Sequence, residues 1–190
     1  MEKKRSGHTE ETPGKKGCRT KEKGLTMRAG ELTLLALLGA LLYVGQTALA
    51  FLPNIEVVSV LVIAYTVVFG RRALLPIYVF VLLEGVTYGF GLWWMMYLYV
   101  WAVLYGAARV LRRNTSALVW AAVAGFYGLS FGALCTIPYL IAGGPGAALA
   151  SWTSGLLFDL LHCAGNFATT LVLYGPLVRA LGAARGMMGE

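Results

Sequence analysis

Three carboxylates and one imidazole stand inside otherwise apolar stretches of this 190-residue chain: Glu56, Glu84, Asp159 and His162. A carboxylate in hydrocarbon is costly unless it is paired, neutral or facing water, so each is a candidate functional group. Asp159, His162 and Asn166 fall at i, i+3 and i+7 and share one helix face. Such a face can bind a polar ligand or relay a proton. It can also form a hydrogen-bonded seam between helices, worth about 1 kcal/mol or less per bond. Glu84 sits ~18 Å along its helix from Arg72, slightly past the middle of a bilayer. No Lys or Arg stands within the apolar stretches to pair with it, which favours a ligand-binding role. Glu56 follows Asn54, a plausible helix N-cap. It serves equally as a carboxylate on the positive end of a helix dipole or as a ligand group.

Other chemistries find less support. One histidine with scattered carboxylates lacks the converging donors of a metal site. Ser151 and Ser154 lie near Asp159 and His162, but no G-x-S-x-G or similar nucleophile turn is present. There is no phosphate-binding loop of the G-x-x-x-x-G-K-[ST] type, so energy from ATP would have to come from another subunit. No cofactor is implied. Cys18, Cys135 and Cys163 form neither a disulfide framework nor a zinc pattern. Tyr88, Phe90, Trp93, Trp94, Tyr97 and Tyr99 crowd one short segment, with Trp152 further on. An interfacial aromatic belt explains part of that density. Adjacent Trp93 and Trp94 project about 100° apart, so one of them is expected to line a pocket.

Composition decides what must hold these groups. The chain is 58% hydrophobic with a mean hydropathy of +0.68, which implies an integral membrane protein. The expected fold class is all-α: a polytopic membrane protein with six transmembrane helices and both termini cytoplasmic. The apolar runs lack the alternation of a membrane β-barrel. Expected spans run from about Gly30 to Ala50, Asn54 to Gly70, Ala73 to Tyr88, Trp93 to Val110, Ala117 to Ile141 and Ala147 to Arg179. The last would measure ~48 Å as one helix against a ~30 Å hydrocarbon core. Outward projection and a break at Gly175-Pro176 are therefore expected. Residues 1–28 read as a basic, disordered cytoplasmic tail, 29–182 as the membrane domain and 183–190 as a short cytoplasmic tail.

The 16 Lys and Arg residues fall on one expected side. Lys3, Lys4, Arg5, Lys15, Lys16, Arg19, Lys21, Lys23 and Arg28 precede the first span. Arg71-Arg72, Arg109 with Arg112-Arg113, and Arg179 with Arg185 occupy every second turn. The alternate turns, near Pro53, Gly89–Gly91 and Gly143–Gly146, carry none, which is the positive-inside pattern of a bacterial plasma-membrane protein. The net charge of +7 then faces anionic lipid and not nucleic acid. Small residues at spacing four, Ala36/Ala40, Gly85/Gly89, Ala121/Gly125 and Gly128/Gly132, suit close helix packing.

Four stretches carry a family resemblance covering residues 30–180. They are Ala36-Leu37-Leu38-Gly39-Ala40; Leu52-Pro53-Asn54-Ile55-Glu56-Val57-Val58-Ser59; Leu83-Glu84-Gly85 running into Tyr88-Gly89-Phe90-Gly91-Leu92-Trp93-Trp94; and Phe158-Asp159 with His162, Gly165 and Asn166. With six spans and cytoplasmic termini, they resemble the substrate-binding subunits, or S components, of energy-coupling-factor vitamin transporters. The basic tail is not part of that family's pattern. The resemblance implies a non-enzymatic binder of a vitamin or related micronutrient, working with a transmembrane coupling subunit and two ATPase subunits. It implies docking on the coupling subunit through Ala36 and Ala40. Its ligand would sit among Asn54, Glu56, Glu84, Tyr88, Trp93, Trp94, Tyr97, Asp159, His162 and Asn166. That set contains no Lys or Arg, so a cationic ligand, or a neutral one rich in N–H and O–H donors, is expected; thiamine-like cations, nucleobase precursors and corrinoids all qualify. Two other classes stay open: a small intramembrane enzyme using Asp159 and His162, and a stand-alone proton-coupled carrier.

Overall fold

The computed structural model describes residues 29–52 and 55–187. Cys18 and the expected tail 1–28, Pro53-Asn54 and residues 188–190 lie outside the described residues. The helices are α1 (Ala29–Ala48), α2 (Val58–Phe69), α3 (Leu74–Tyr88), α4 (Leu92–Val110), α5 (Ala117–Cys135) and α6 (Ile137–Met187), with a 3-10 turn, Gly70–Ala73, between α2 and α3. No strand occurs among the described residues. Four helical stretches are long and apolar enough to cross a membrane: Ala29–Ala48, Val58–Tyr88, Ala117–Cys135 and Ile137–Met187.

The second of these stretches doubles back at the 3-10 turn, where Gly70 adopts φ 63°. Tyr65 of α2 donates to the Leu38 carbonyl, while Val57 lies against Gly45, so α2 descends along α1. Glu31 pairs with Arg72 and Tyr43 donates to Thr87, so α3 rises parallel to α1. Trp94 donates to the Val81 carbonyl and Tyr78 to that of Leu98, setting α4 antiparallel to α3. Tyr99 reaches the Leu134 carbonyl at one end of the next pair and Trp120 that of Asn114 at the other. Gly132 and Trp120 of α5 meet Asp159 and Tyr174 of α6. Six segments therefore alternate in direction around a core that includes Leu35, Leu42, Ile63, Tyr65, Phe80, Trp101, Leu104 and Trp120.

Burial runs opposite to that of a water-soluble bundle. α6 buries Asp159, His162, Asn166 and Thr170, yet Leu157 and Val172 are 67% and 68% exposed. Apolar surface outside and polar groups inside suit a hydrocarbon solvent.

Two boundaries differ from expectation. The N-terminal cap position of α2 is Val57, without a side-chain cap; the Glu56 carboxylate instead accepts the Ser59 N–H at 2.8 Å. No break occurs at Gly175-Pro176: Pro176 lies inside α6, which continues to Met187. The backbone leaves helical geometry at Gly144 (φ 74°, ψ −175°). Glycine tolerates that positive φ, and Pro145 then occupies a first-turn position where its missing N–H costs nothing. The element assigned as α5 ends at Cys135, but the chain reverses near Gly144, as the Gly132–Asp159 pairing requires. Between Ile137 and Phe158 only Pro138 is buried, so this hairpin tip projects beyond the bundle, as the excess length of the last helix anticipated.

Close approach of α5 and α6 depends on glycine. A Cβ on Gly128 would lie 2.8 Å from the backbone carbonyl of His162, and one on Gly132 would overlap the Asp159 carboxylate. Gly128→Ala is expected to destabilise the fold by about 1–3 kcal/mol, because backbone cannot step aside as a side-chain tip can. Unfolding in detergent measures this, and an unchanged midpoint would mean that the two helices sit further apart.

Candidate functional site

At the end of the bundle opposite the described arginines, the helices enclose a two-lobed cavity. One lobe, about 290 Å³, is lined by Gln46, Leu49, Ala50, Leu52, Ile55, Glu56, Tyr97, Trp101, Phe131 and His162. The other, about 310 Å³, is lined by Gln46, Thr47, Ala50, Glu84, Tyr88, Trp93 and Tyr97. Gln46, Ala50 and Tyr97 border both. Each lobe falls at the small end of ligand-pocket sizes.

The first lobe is built on a polar seam. The parallel course of α2 and α6 brings Glu56 Oε1 to 3.3 Å from His162 Nε2. One turn deeper, Asn166 Nδ2 donates to Ser59 Oγ at 3.1 Å. Phe131 packs edge-on to the imidazole with ring centroids 4.9 Å apart. From there an aromatic series continues through Trp101 and Tyr97 to Trp93, with successive centroids 5.4 to 6.1 Å apart. These separations are those of edge-to-face pairs. The cavity wall is thus a run of rings with carboxylates at two points.

Glu84 is 4% exposed, and its Oε1 has no hydrogen-bond partner among the described residues. The same holds for Gln46 Oε1, Trp101 Nε1 and His162 Nδ1. Buried polar atoms are normally satisfied. Here acceptors, a donor and an imidazole nitrogen are all available in residues that line one cavity.

Of the residues expected at the site, Glu56, Glu84, Tyr88, Trp93, Tyr97 and His162 line the cavity. Trp94 does not. It packs against Phe90 over Gly85 and donates to the Val81 carbonyl at 2.8 Å; the two tryptophans divide, one to the cavity and one to packing. Asp159 is also absent from the lining: its Oδ1 accepts the Gly132 N–H at 2.9 Å on the α5 side of α6. Asn166 is fully buried in the seam below the cavity. Asn54 lies outside the described residues. Ala36 is exposed on the outer face of α1 and Ala40 is half-buried, whereas Gly39 makes the close contact with Val79 and Pro76 of α3.

Sequence reasoning overlooked Gln46, Thr47, Trp101 and Phe131. Gln46 and Thr47 were findable as the polar pair near the end of an apolar helix. Among the described residues, no group of three His, Cys, Asp or Glu side chains could hold a metal ion. No protein-family model, curated protein or solved structure matches this chain.

Proposed function

We propose that the chain is the substrate-binding membrane subunit of an energy-coupling-factor type importer in a bacterial plasma membrane. In this reading its six helices cross the bilayer, both termini are cytoplasmic and the cavity opens outward to capture a vitamin-like micronutrient. The observation that carries the proposal is the separation of charge along the bundle. The cavity end holds Glu56, Glu84, His162 and aromatic rings, and among the described residues no Lys or Arg is in its lining. The other end gathers Arg71, Arg72 and Arg185, with Arg109 beside Gly70. That polarity supports both an orientation by the positive-inside rule and a ligand that is cationic or neutral. Lobes of this size favour one or two rings with a short extension over a corrinoid macrocycle.

The intramembrane-enzyme alternative relied on Asp159 and His162 acting together. They form no hydrogen bond with each other: Asp159 engages Gly132, and His162 engages Glu56.

Co-purification tests the proposal. Tagged protein from its native membrane should bring down a transmembrane coupling subunit and ATPase subunits, and Ala36→Trp should abolish that association and uptake while preserving ligand binding. A bulky ring on the exposed face of α1 blocks helix approach without reaching the cavity. Recovery of the chain alone, or normal uptake by the variant, would refute the docking assignment.

A further inference from the structure

At the opposite end of the bundle lies a second pocket of about 290 Å³, lined by Glu31, Phe69, Arg71, Arg72 and Arg185. Four elements build it, with Phe69 supplied by the end of α2. α1 supplies Glu31, the 3-10 turn supplies consecutive arginines, and the last turns of α6 supply Arg185. The single carboxylate is taken by Arg72. Arg185 donates one N–H to the Val68 carbonyl, which ties the end of α6 to the end of α2; the rest of its fork has no hydrogen-bond partner among the described residues. Arg71 has no hydrogen bond or ion pair among the described residues. Next to Arg71 in the chain, Gly70 has the Arg109 guanidinium beside it, 3.6 Å from where a Gly70 Cβ would stand.

We propose that this pocket binds a phosphate group, with Arg71 and Arg185 as its principal donors and the headgroup of an acidic phospholipid as its source. Guanidinium forks match phosphate oxygens in pairs, and converging like charges are relieved by an anion placed among them. A basic pocket between helices at the cytoplasmic side is a setting in which acidic headgroups bind. Apolar surface begins at its edge: Leu32, next to Glu31, is 48% exposed, and Val110, next to Arg109, is 82% exposed. A headgroup seated on the arginines would therefore leave its acyl chains on protein surface that needs apolar cover. Soluble phosphate offers the same oxygens without the chains. The inference is independent of what the outer cavity takes.

The full chain in detergent, titrated with dioleoyl phosphatidylglycerol or dioleoyl phosphatidylcholine and read by native mass spectrometry, tests it. Phosphatidylglycerol should be retained preferentially, and Arg71→Gln should weaken its binding roughly fivefold. Arg71 is exposed and unpaired, so that variant should fold. Glu31→Gln should act in the opposite direction and strengthen binding, because it releases Arg72; a merely structural role predicts no gain. Thermal stabilisation by sodium phosphate, lost in Arg71→Gln and without preference for phosphatidylglycerol, would keep the phosphate site and assign it to a soluble anion. Equal retention of both lipids with no response to phosphate would overturn the proposal. So would unchanged binding in Arg71→Gln, or weaker binding in Glu31→Gln.

Discussion

Replacing Glu56 by leucine is expected to cost about 2–6 kcal/mol of stability, because two buried hydrogen-bonding groups are left unsatisfied at roughly 1–3 kcal/mol each. Two interactions are lost together. The Ser59 N–H at the start of α2 loses its acceptor, and His162 Nε2, 3.3 Å from the carboxylate, is left facing an apolar side chain. Glu56→Gln should recover most of the loss, since the amide oxygen can still accept. The double variant Glu56→Leu/His162→Leu should be less destabilised than the sum of the single changes, because the second removes a group already stranded by the first. Denaturant unfolding in detergent gives these values. A loss below about 1 kcal/mol for Glu56→Leu would mean that the contact is incidental, as exposed ion pairs generally are.

The second large effect concerns affinity, and it separates two carboxylates that the sequence treats alike. Glu84→Gln should weaken ligand binding at least tenfold, about 1.4 kcal/mol. Its carboxylate borders the lobe formed with Tyr88, Trp93 and Tyr97. Asp159→Asn should leave affinity within about twofold and instead lower stability, because Asp159 accepts from Gly132 on the far side of α6. Titration calorimetry with the identified ligand, beside an unfolding midpoint for each variant, resolves the two. Equal loss of affinity in both would place Asp159 back in the pocket.

Much of this arrangement is legible in the chain. Apolar runs separated by arginine clusters place the helices to within a few residues, since a span needs a minimum length and Arg cannot sit in its middle. The buried face of α6 follows from the spacing of Asp159, His162 and Asn166. What that face touches does not follow, because three helical residues turn the chain by about 300°. The remaining offset sends Asp159 toward α5 and His162 toward α2. Gln46 escaped notice because a neutral amide in an apolar helix carries less desolvation cost than a carboxylate. Of the two prolines in α6, Pro145 stands at the expected Gly143–Gly146 turn, whereas the helix runs on through Pro176. A proline alone costs one hydrogen bond, which a membrane helix can absorb. The glycine before Pro145 adds a positive φ, and that combination reverses the chain. Asp159 also explains Gly132, since only a residue without Cβ lets the carboxylate reach the helix backbone.

The most direct test of the account is chemical identification of what the outer cavity holds. Protein purified from its native membrane should be extracted and its retained small molecule identified by mass spectrometry, then rebound to wild type and to Glu84→Gln. The expected molecule is cationic or neutral, has a flat ring, and is lost from Glu84→Gln. Tight retention of a phosphorylated or polycarboxylate compound, unaffected by that change, would contradict the account, because among the described residues no Lys or Arg lines the cavity to receive it.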